Sequence, residues 1–225
     1  MGREIYKLNN VDPEDIDDVL LKIQRSFNIK FDSEGLKGIN TFGGLCDLIV
    51  SKINLEHEEN CTTQHAFYLL RNVIAATAGI DKCDITPQTR LSKIFPRENR
   101  LQMISEIENE LGFAVKLLQP KQWVLISFSL IFIGSLIGCY FNWQIGVAGI
   151  LASVTALRLA GKFGKEMHLK TVGDMANKVA RESYLKSRRN SCTVNKNEIE
   201  QKVRELFKND LDLKPIALRR ESNLN

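Results

Sequence analysis

The sequence predicts an all-α protein: charged amphipathic helices interrupted by a hairpin of two transmembrane helices. Three observations predict it. The stretch from Trp123 to Phe141 is apolar and holds not a single charge. A second uncharged apolar run, from Ile145 to Leu157, follows after the short connector Asn142-Trp143-Gln144. Elsewhere the apolar residues recur at helical spacing in a charged background.

Taken in chain order, Ile16, Val19, Leu20, Ile23 and Phe27 mark one face of a helix over residues 14–30, closed by Lys30-Phe31 and Asp32-Ser33. A shorter helix is expected over residues 41–53, with Thr41 as N-cap. Phe67, Leu69, Leu70, Val73 and Ile74 place a third amphipathic helix over residues 64–78, capped by Thr62 or Thr63. Ile85-Thr86-Pro87 marks a loop, and residues 101–111 are again helical. Ile199, Val203, Leu206 and Phe207 give the C-terminal helix an apolar stripe that needs a partner.

A helix over residues 123–141 spans about 28 Å, close to the hydrocarbon thickness of a bilayer. The second span reaches Ala160 if Arg158 snorkels. Asn142-Trp143-Gln144 leaves room only for a tight turn, so the chain returns to its starting side. Lys121 precedes the first span; Arg158, Lys162 and Lys165 follow the second; the tip is uncharged. The positive-inside rule then places both termini in the cytoplasm, and the expected location is the inner (cytoplasmic) membrane, spanned twice. Trp123, Trp143, Arg158 and Lys162 are the expected membrane-interface residues, and membrane lipids the expected partners. Gly134-x3-Gly138 and Gly149-x3-Ser153 would let the two backbones approach closely. Neither span holds an acidic residue or a histidine, so the hairpin reads as an anchor and not as a transport path.

Charge is unevenly spread. Residues 1–60 carry 7 Lys and Arg against 12 Asp and Glu, whereas residues 121–225 carry 17 against 9. The basic part is the one adjoining the spans, where anionic headgroups attract each well-placed cation by about 1 kcal/mol. Lys186, Arg188 and Arg189 read as a juxtamembrane basic segment; without interleaved aromatics, nucleic acid is not an expected partner. Five scattered cysteines without a CxxC pair suit reduced thiols in the cytosol. MGREIYKLNN has no apolar core, so no signal peptide is expected.

The chain also repeats itself. SFNIKF (26–31) aligns with ELGFAV (110–115), and TFGGLCDLI (41–49) with TVGDMANKV (171–179). AGIDKCDITPQTRL (78–91) aligns with LDLKPIALRRESNL (211–224), bringing Ile80, Ile85 and Leu91 onto Leu213, Leu218 and Leu224. One helical unit thus occurs once in full and twice in halves.

A long first helix, the loop IDKCDITPQTRL, a second helix ending ENELGF and a short helix opening TVGD together resemble an acyl carrier protein. On this resemblance, residues 1–60 are a carrier-like half unit, 61–120 the first part of a full unit, 121–162 the transmembrane hairpin, 163–190 the last part of that unit, and 191–225 a second half unit. The resemblance implies acyl-carrier-like helical bundles, but the serine that would carry phosphopantetheine is missing. Arg97 or Glu98 stands at its position in the full unit, and Pro13 in the first half unit, so no phosphopantetheine attachment site is expected. Glu106, Glu108 and Glu110 lie on the helix that faces partner enzymes in that family. They are therefore the expected partner-docking residues, toward enzymes of fatty-acid or lipid synthesis. The two terminal halves are expected to complete one another, within one chain as a circular permutation or between chains as a homo-oligomer.

His57, Cys61 and His65 are spaced by four and would share a helix face. Asn60 and Thr62-Thr63 mark a helix start that breaks that face, so a solvated linker is expected and no metal. No Ser/His/Asp set or glycine-rich phosphate loop is present, and neither an enzyme nor a cofactor is expected. The sequence thus points to a membrane-anchored, non-enzymatic scaffold or docking protein. The alternative is a genuine acyl carrier working at the membrane.

Overall fold

A computed structural model describes residues 11–213 and 218–224, apart from the side chains of residues 33 and 34. In chain order the elements are α1 (Pro13–Phe27), α2 (Ser33–Leu36), α3 (Phe42–Lys52), β1 (Glu56–His57), α4 (Thr62–Ala78), α5 (Leu91–Ile94) and α6 (Arg100–Leu111). They continue with β2 (Leu118–Gln119), α7 (Gln122–Phe141), α8 (Trp143–Phe163), β3 (Glu166–Met167), α9 (Val172–Glu182), β4 (Thr193–Val194) and α10 (Lys196–Asp210). The chain is mostly helical, and its strands are short pairs. It divides into two compact units, one made of Met1–Leu70 with Ala176–Asn225, the other of Arg71–Met175.

In the first unit, α1 starts where Asp12 accepts a hydrogen bond from the Glu14 amide at 3.1 Å and Pro13 takes the first helical position. It ends at Phe27, short of the expected Lys30-Phe31. Asn28 turns left-handed there (φ 49°), a conformation its short amide tolerates better than most side chains do. Thr41 caps α3 as expected, accepting from the Gly44 amide at 3.2 Å. Helix α10 packs on α1 and α3 of its own chain. Its stripe of Ile199, Val203, Leu206 and Phe207 is fully buried, with the Phe207 ring edge-on to Phe42 at 5.8 Å. Burying each such side chain contributes roughly 1.5–3 kcal/mol as an upper bound. The two ends of the sequence therefore complete one core within one chain, and the stripe is not left over for a second copy.

The segment expected as a solvated linker is ordered by pairing. β1 runs parallel to β4, with Glu56 opposite Thr193 and His57 opposite Val194, and Thr193 and Val194 are buried. Thr62 is the first residue of α4 and not its cap. The cap is the Glu198 carboxylate, which accepts from the Thr62 amide at 3.2 Å and from its hydroxyl at 2.6 Å. A carboxylate there also favours the positive end of the helix dipole.

In the second unit, α5 is a single turn the periodicity did not predict, too short to show a helical repeat. The α6 residue Arg100, although charged, is buried. It donates from Nε and Nη2 to the Phe95 carbonyl at 3.1 and 3.0 Å, and from Nη1 to the Lys165 carbonyl. β2 and β3 pair antiparallel, Leu118 with Met167 and Gln119 with Glu166, and close the base of the α7–α8 hairpin.

The internal repeat is present in backbone detail. Asn28 and Gly112, aligned in the sequence, both end a helix in the left-handed conformation, with φ of 49° and 70°. Thr41 bridges Asn223 just as Thr171 bridges Arg90, and those residues are aligned in pairs. The Phe42 and Gly43 amides donate to the Ser222 and Arg220 carbonyls at 2.9 and 2.8 Å. In the other copy the Val172 and Gly173 amides donate to the Thr89 and Pro87 carbonyls at 3.0 and 2.8 Å. The Leu224 and Leu91 amides donate to the Asn40 and Lys170 carbonyls at 2.9 and 3.0 Å. One copy thus runs α4, α6, α9 in chain order. The other is assembled from α10, α1 and α3, so its order is permuted.

Candidate functional site: the apolar hairpin and its base

Helices α7 and α8 have 20 and 21 residues, long and apolar enough to cross a membrane. Asn142 alone joins them. It ends α7, and its Oδ1 caps α8 by accepting from the Gln144 and Ile145 amides at 3.2 and 3.5 Å. The turn is therefore tighter than the expected Asn142-Trp143-Gln144, because Trp143 and Gln144 are already helical. The second span is correspondingly longer than expected, ending at Phe163.

The two helices pack through small residues, though not the full predicted set. A side chain at Gly146 would collide with the Cys139 backbone, and one at Gly149 with Ser135. Gly138 approaches the Gly146 backbone, and Ser153 is buried. Gly134, expected in the interface, has open space beside it. The actual close approach is Gly138, Gly146, Gly149 and Ser153; Gly146 stands outside both x3-spaced pairs.

No residue of α7 is buried, and the outward side chains are large and apolar on every side. Among the described residues, the exposed large hydrophobics fall on α7 and α8 apart from Leu21 and Tyr68. Soluble monomers rarely expose so large a contiguous apolar surface. Ser127, Ser135, Ser153 and Thr155 donate to carbonyls of their own helices at 2.7–2.9 Å, so their hydroxyls need no water.

The expected interface residues lie along this hairpin. Trp123 and Trp143 are 64% and 68% exposed, at opposite ends of the first span. Arg158 and Lys162 lie on the last turns of α8, where Lys162 is exposed and Arg158 is at the surface. At the base, Arg97, Pro120, Lys121, Val124, Ala160, Phe163, Gly164, Lys165 and Glu166 line a groove of about 240 Å³. Arg97 donates to Glu166 at 2.9 Å across it. Gly164 lies so close to the Gln119–Pro120 backbone that a Cβ there would overlap it.

The other expected residues are not brought together. Arg97 and Glu98 sit in the exposed turn before α6, which begins only at Arg100, whereas Pro13 is the first residue of α1. Glu106 and Glu110 are exposed, and Glu106 accepts from Gln102 at 2.9 Å. Glu108 turns inward and accepts from the Val115 and Lys116 amides at 2.6 and 3.0 Å. Gln24, which like Glu108 stands two residues before the aligned segment, does the same for the Phe31 amide at 3.0 Å. Glu108 therefore closes a loop. His57 accepts from the Lys196 amide, His65 bonds the Ser187 carbonyl at 2.7 Å, and Cys61 is exposed. Among the described residues no group of three or more His, Cys, Asp or Glu could hold a metal ion.

Arg188 departs most from its expected role. It is buried and no part of a surface basic segment. It donates to the Glu58 carbonyl at 3.0 Å, to Thr62 Oγ1 at 3.1 Å and to Thr193 Oγ1 at 3.3 Å, and its guanidinium lies 5.7 Å from the Tyr184 ring centre. The two threonine hydroxyls pass the interaction on to carboxylates, Thr62 to Glu198 at 2.6 Å and Thr193 to Glu58 at 2.8 Å. The hydrogen bond from Thr193 holds the Glu58 carboxyl below its usual range, and burial pushes the Tyr184 phenol up. These groups come from widely separated stretches of chain, so no local pattern announces them.

No family model, curated protein or solved structure matches this chain.

Proposed function

We propose that this protein is a two-span membrane anchor for a non-enzymatic, acyl-carrier-like scaffold that docks enzymes of fatty-acid or lipid synthesis on the cytoplasmic face. The observation that carries the anchor is the α7–α8 surface, apolar on all sides and exposed along its length. The β2–β3 pair at its base returns the chain to the side it left, which supports two spans with both soluble ends together. Cations at the base and none at the tip favour the cytoplasmic side.

The scaffold reading rests on the repeated three-helix unit and on residues without a hydroxyl (Pro13, Arg97, Glu98) where the resemblance requires a serine. Glu106 and Glu110, exposed one turn apart on α6, are the docking residues of this reading. Intact-mass measurement after incubation with a phosphopantetheinyl transferase and coenzyme A tests it. The expected mass is unchanged; a gain of one arm makes the chain an acyl carrier and overturns the scaffold. A membrane-impermeant maleimide tests the sidedness. Exposed Cys61, Cys83 and Cys192 should react only after the cytoplasmic face is opened.

A further inference from the structure

We infer that the groove at the hairpin base binds the phosphate of an anionic phospholipid headgroup. The inference rests on the membrane reading above. Three cations line the groove, Arg97, Lys121 and Lys165, against one anion, Glu166. Glu166 is engaged by Arg97 at 2.9 Å, which leaves the two lysines as the uncompensated positive charge facing the cavity. The main chain is held at both positions: Lys121 is the N-cap residue of α7, and the Lys165 carbonyl accepts from buried Arg100.

The rest of the lining is largely apolar. It includes Val124, Ala160 and Phe163, which lie on the apolar helices α7 and α8. A ligand matching both kinds of lining has an anionic head and an apolar tail. Depth agrees: α7, at 20 residues, covers about 30 Å, the hydrocarbon thickness, so the residues just before and after the spans lie among headgroups. A phosphate there gains from both lysines in a medium less screened than bulk water. Free inorganic phosphate would satisfy the lysines but leave the apolar lining unused.

Trp123 lies close to Lys121 in the chain and serves as an intrinsic reporter once Trp143 is replaced (Trp143→Phe). The protein is reconstituted in vesicles containing phosphatidylcholine or phosphatidylglycerol brominated near the head end of the acyl chains. Quenching of Trp123 gives the relative binding of the two lipids. The expected result is a preference of about tenfold for phosphatidylglycerol, lost in Lys121→Ala/Lys165→Ala. The preference should persist in Arg158→Ala/Lys162→Ala, whose cations lie outside the groove, and should resist millimolar inorganic phosphate. Circular dichroism checks that each variant stays folded, and Lys121→Gln alone should lower the preference several-fold. Equal quenching by both lipids overturns the groove site while leaving the anchor intact. Equal loss in both double variants assigns the preference to diffuse charge and also overturns it, and displacement by free phosphate makes the site one for the free ion. Absence of quenching by either lipid overturns the membrane reading itself.

Discussion

The two copies of the repeat differ chiefly in one connection. In the permuted copy, a short link holding only the single turn α2 joins Phe31 to Thr41. In the other, the whole of α7 and α8 stands between the aligned Val115 and Thr171. On either side of that connection the hydrogen bonds match in length: Gly43 to Arg220 and Gly173 to Pro87 are both 2.8 Å. A helical unit can thus accept a long apolar two-helix insertion without changing its own backbone, provided the ends of the insertion are pinned together. Here β2–β3, the Arg97–Glu166 pair and the tight Gly164 contact pin them.

The most drastic way to break this comparison is to remove the insertion. Replacing residues 120–165 with Asn-Gly would close Gln119 and Glu166 as a tight hairpin. The product should be soluble without detergent, helical by circular dichroism and cooperative in unfolding. A molten or aggregating product would mean the spans belong to the core.

Next in size is the Arg188 network of the first unit. Arg188→Met strands the Glu58 carbonyl and the linked carboxylates, and should cost about 3 kcal/mol in denaturant unfolding. Hydrogen exchange should accelerate in α10 and leave the Leu91 and Gly173 amides unchanged. An unaltered midpoint would show the network to be dispensable.

The glycines give a symmetric test. A Cβ at Gly43 would lie 2.9 Å from the Arg220 carbonyl, and one at Gly173 would lie 2.9 Å from that of Pro87. Gly43→Ala and Gly173→Ala should each cost roughly 1–3 kcal/mol. Very unequal losses in thermal melts would break the equivalence. Smaller still, Gln24→Ala and Glu108→Ala should each lose about 1 kcal/mol, because each side chain closes the same loop. A Glu108→Ala variant with unchanged stability would return that residue to the docking face.

The smallest effect is at Cys46, which aligns with Ala176; both are buried. Burial, the largest influence, pushes the Cys46 thiol up to about 12. The fold thus favours the protonated thiol. That contribution is complete below the ordinary value of 9.0 and fades as pH rises from there toward 12. Maleimide should modify the exposed Cys61, Cys83 and Cys192 and spare buried Cys46 until the chain is unfolded. Cys46→Ala should change stability by less than about 1 kcal/mol.

What the sequence revealed were features set by short-range chemistry. The charge-free run from Trp123 to Phe141 announces α7 whatever surrounds it, and Thr41 before an apolar face announces α3. The repeat was legible because aligned apolar residues kept one register, as Leu91 and Leu224 do. Residues whose role depends on distant chain were not legible. Arg188 read as a surface cation because Glu58, Thr62 and Thr193 reach it only after folding. Glu108 read as a docking carboxylate because its acceptor role needs the left-handed turn at Gly112. In the hairpin, the x3 spacing selects Gly134 and passes over Gly146, whereas the tight turn at Asn142 brings Gly146 and not Gly134 against the neighbouring helix.

On the proposed reading, α7 and α8 prefer hydrocarbon to water strongly enough to hold the charged remainder on a bilayer. Membranes bearing the intact chain, washed with alkaline carbonate and sedimented, test it most directly. The protein should remain wholly in the pellet and enter solution only with detergent. Recovery of folded, monodisperse protein in the carbonate supernatant would mean that the hairpin is no membrane anchor.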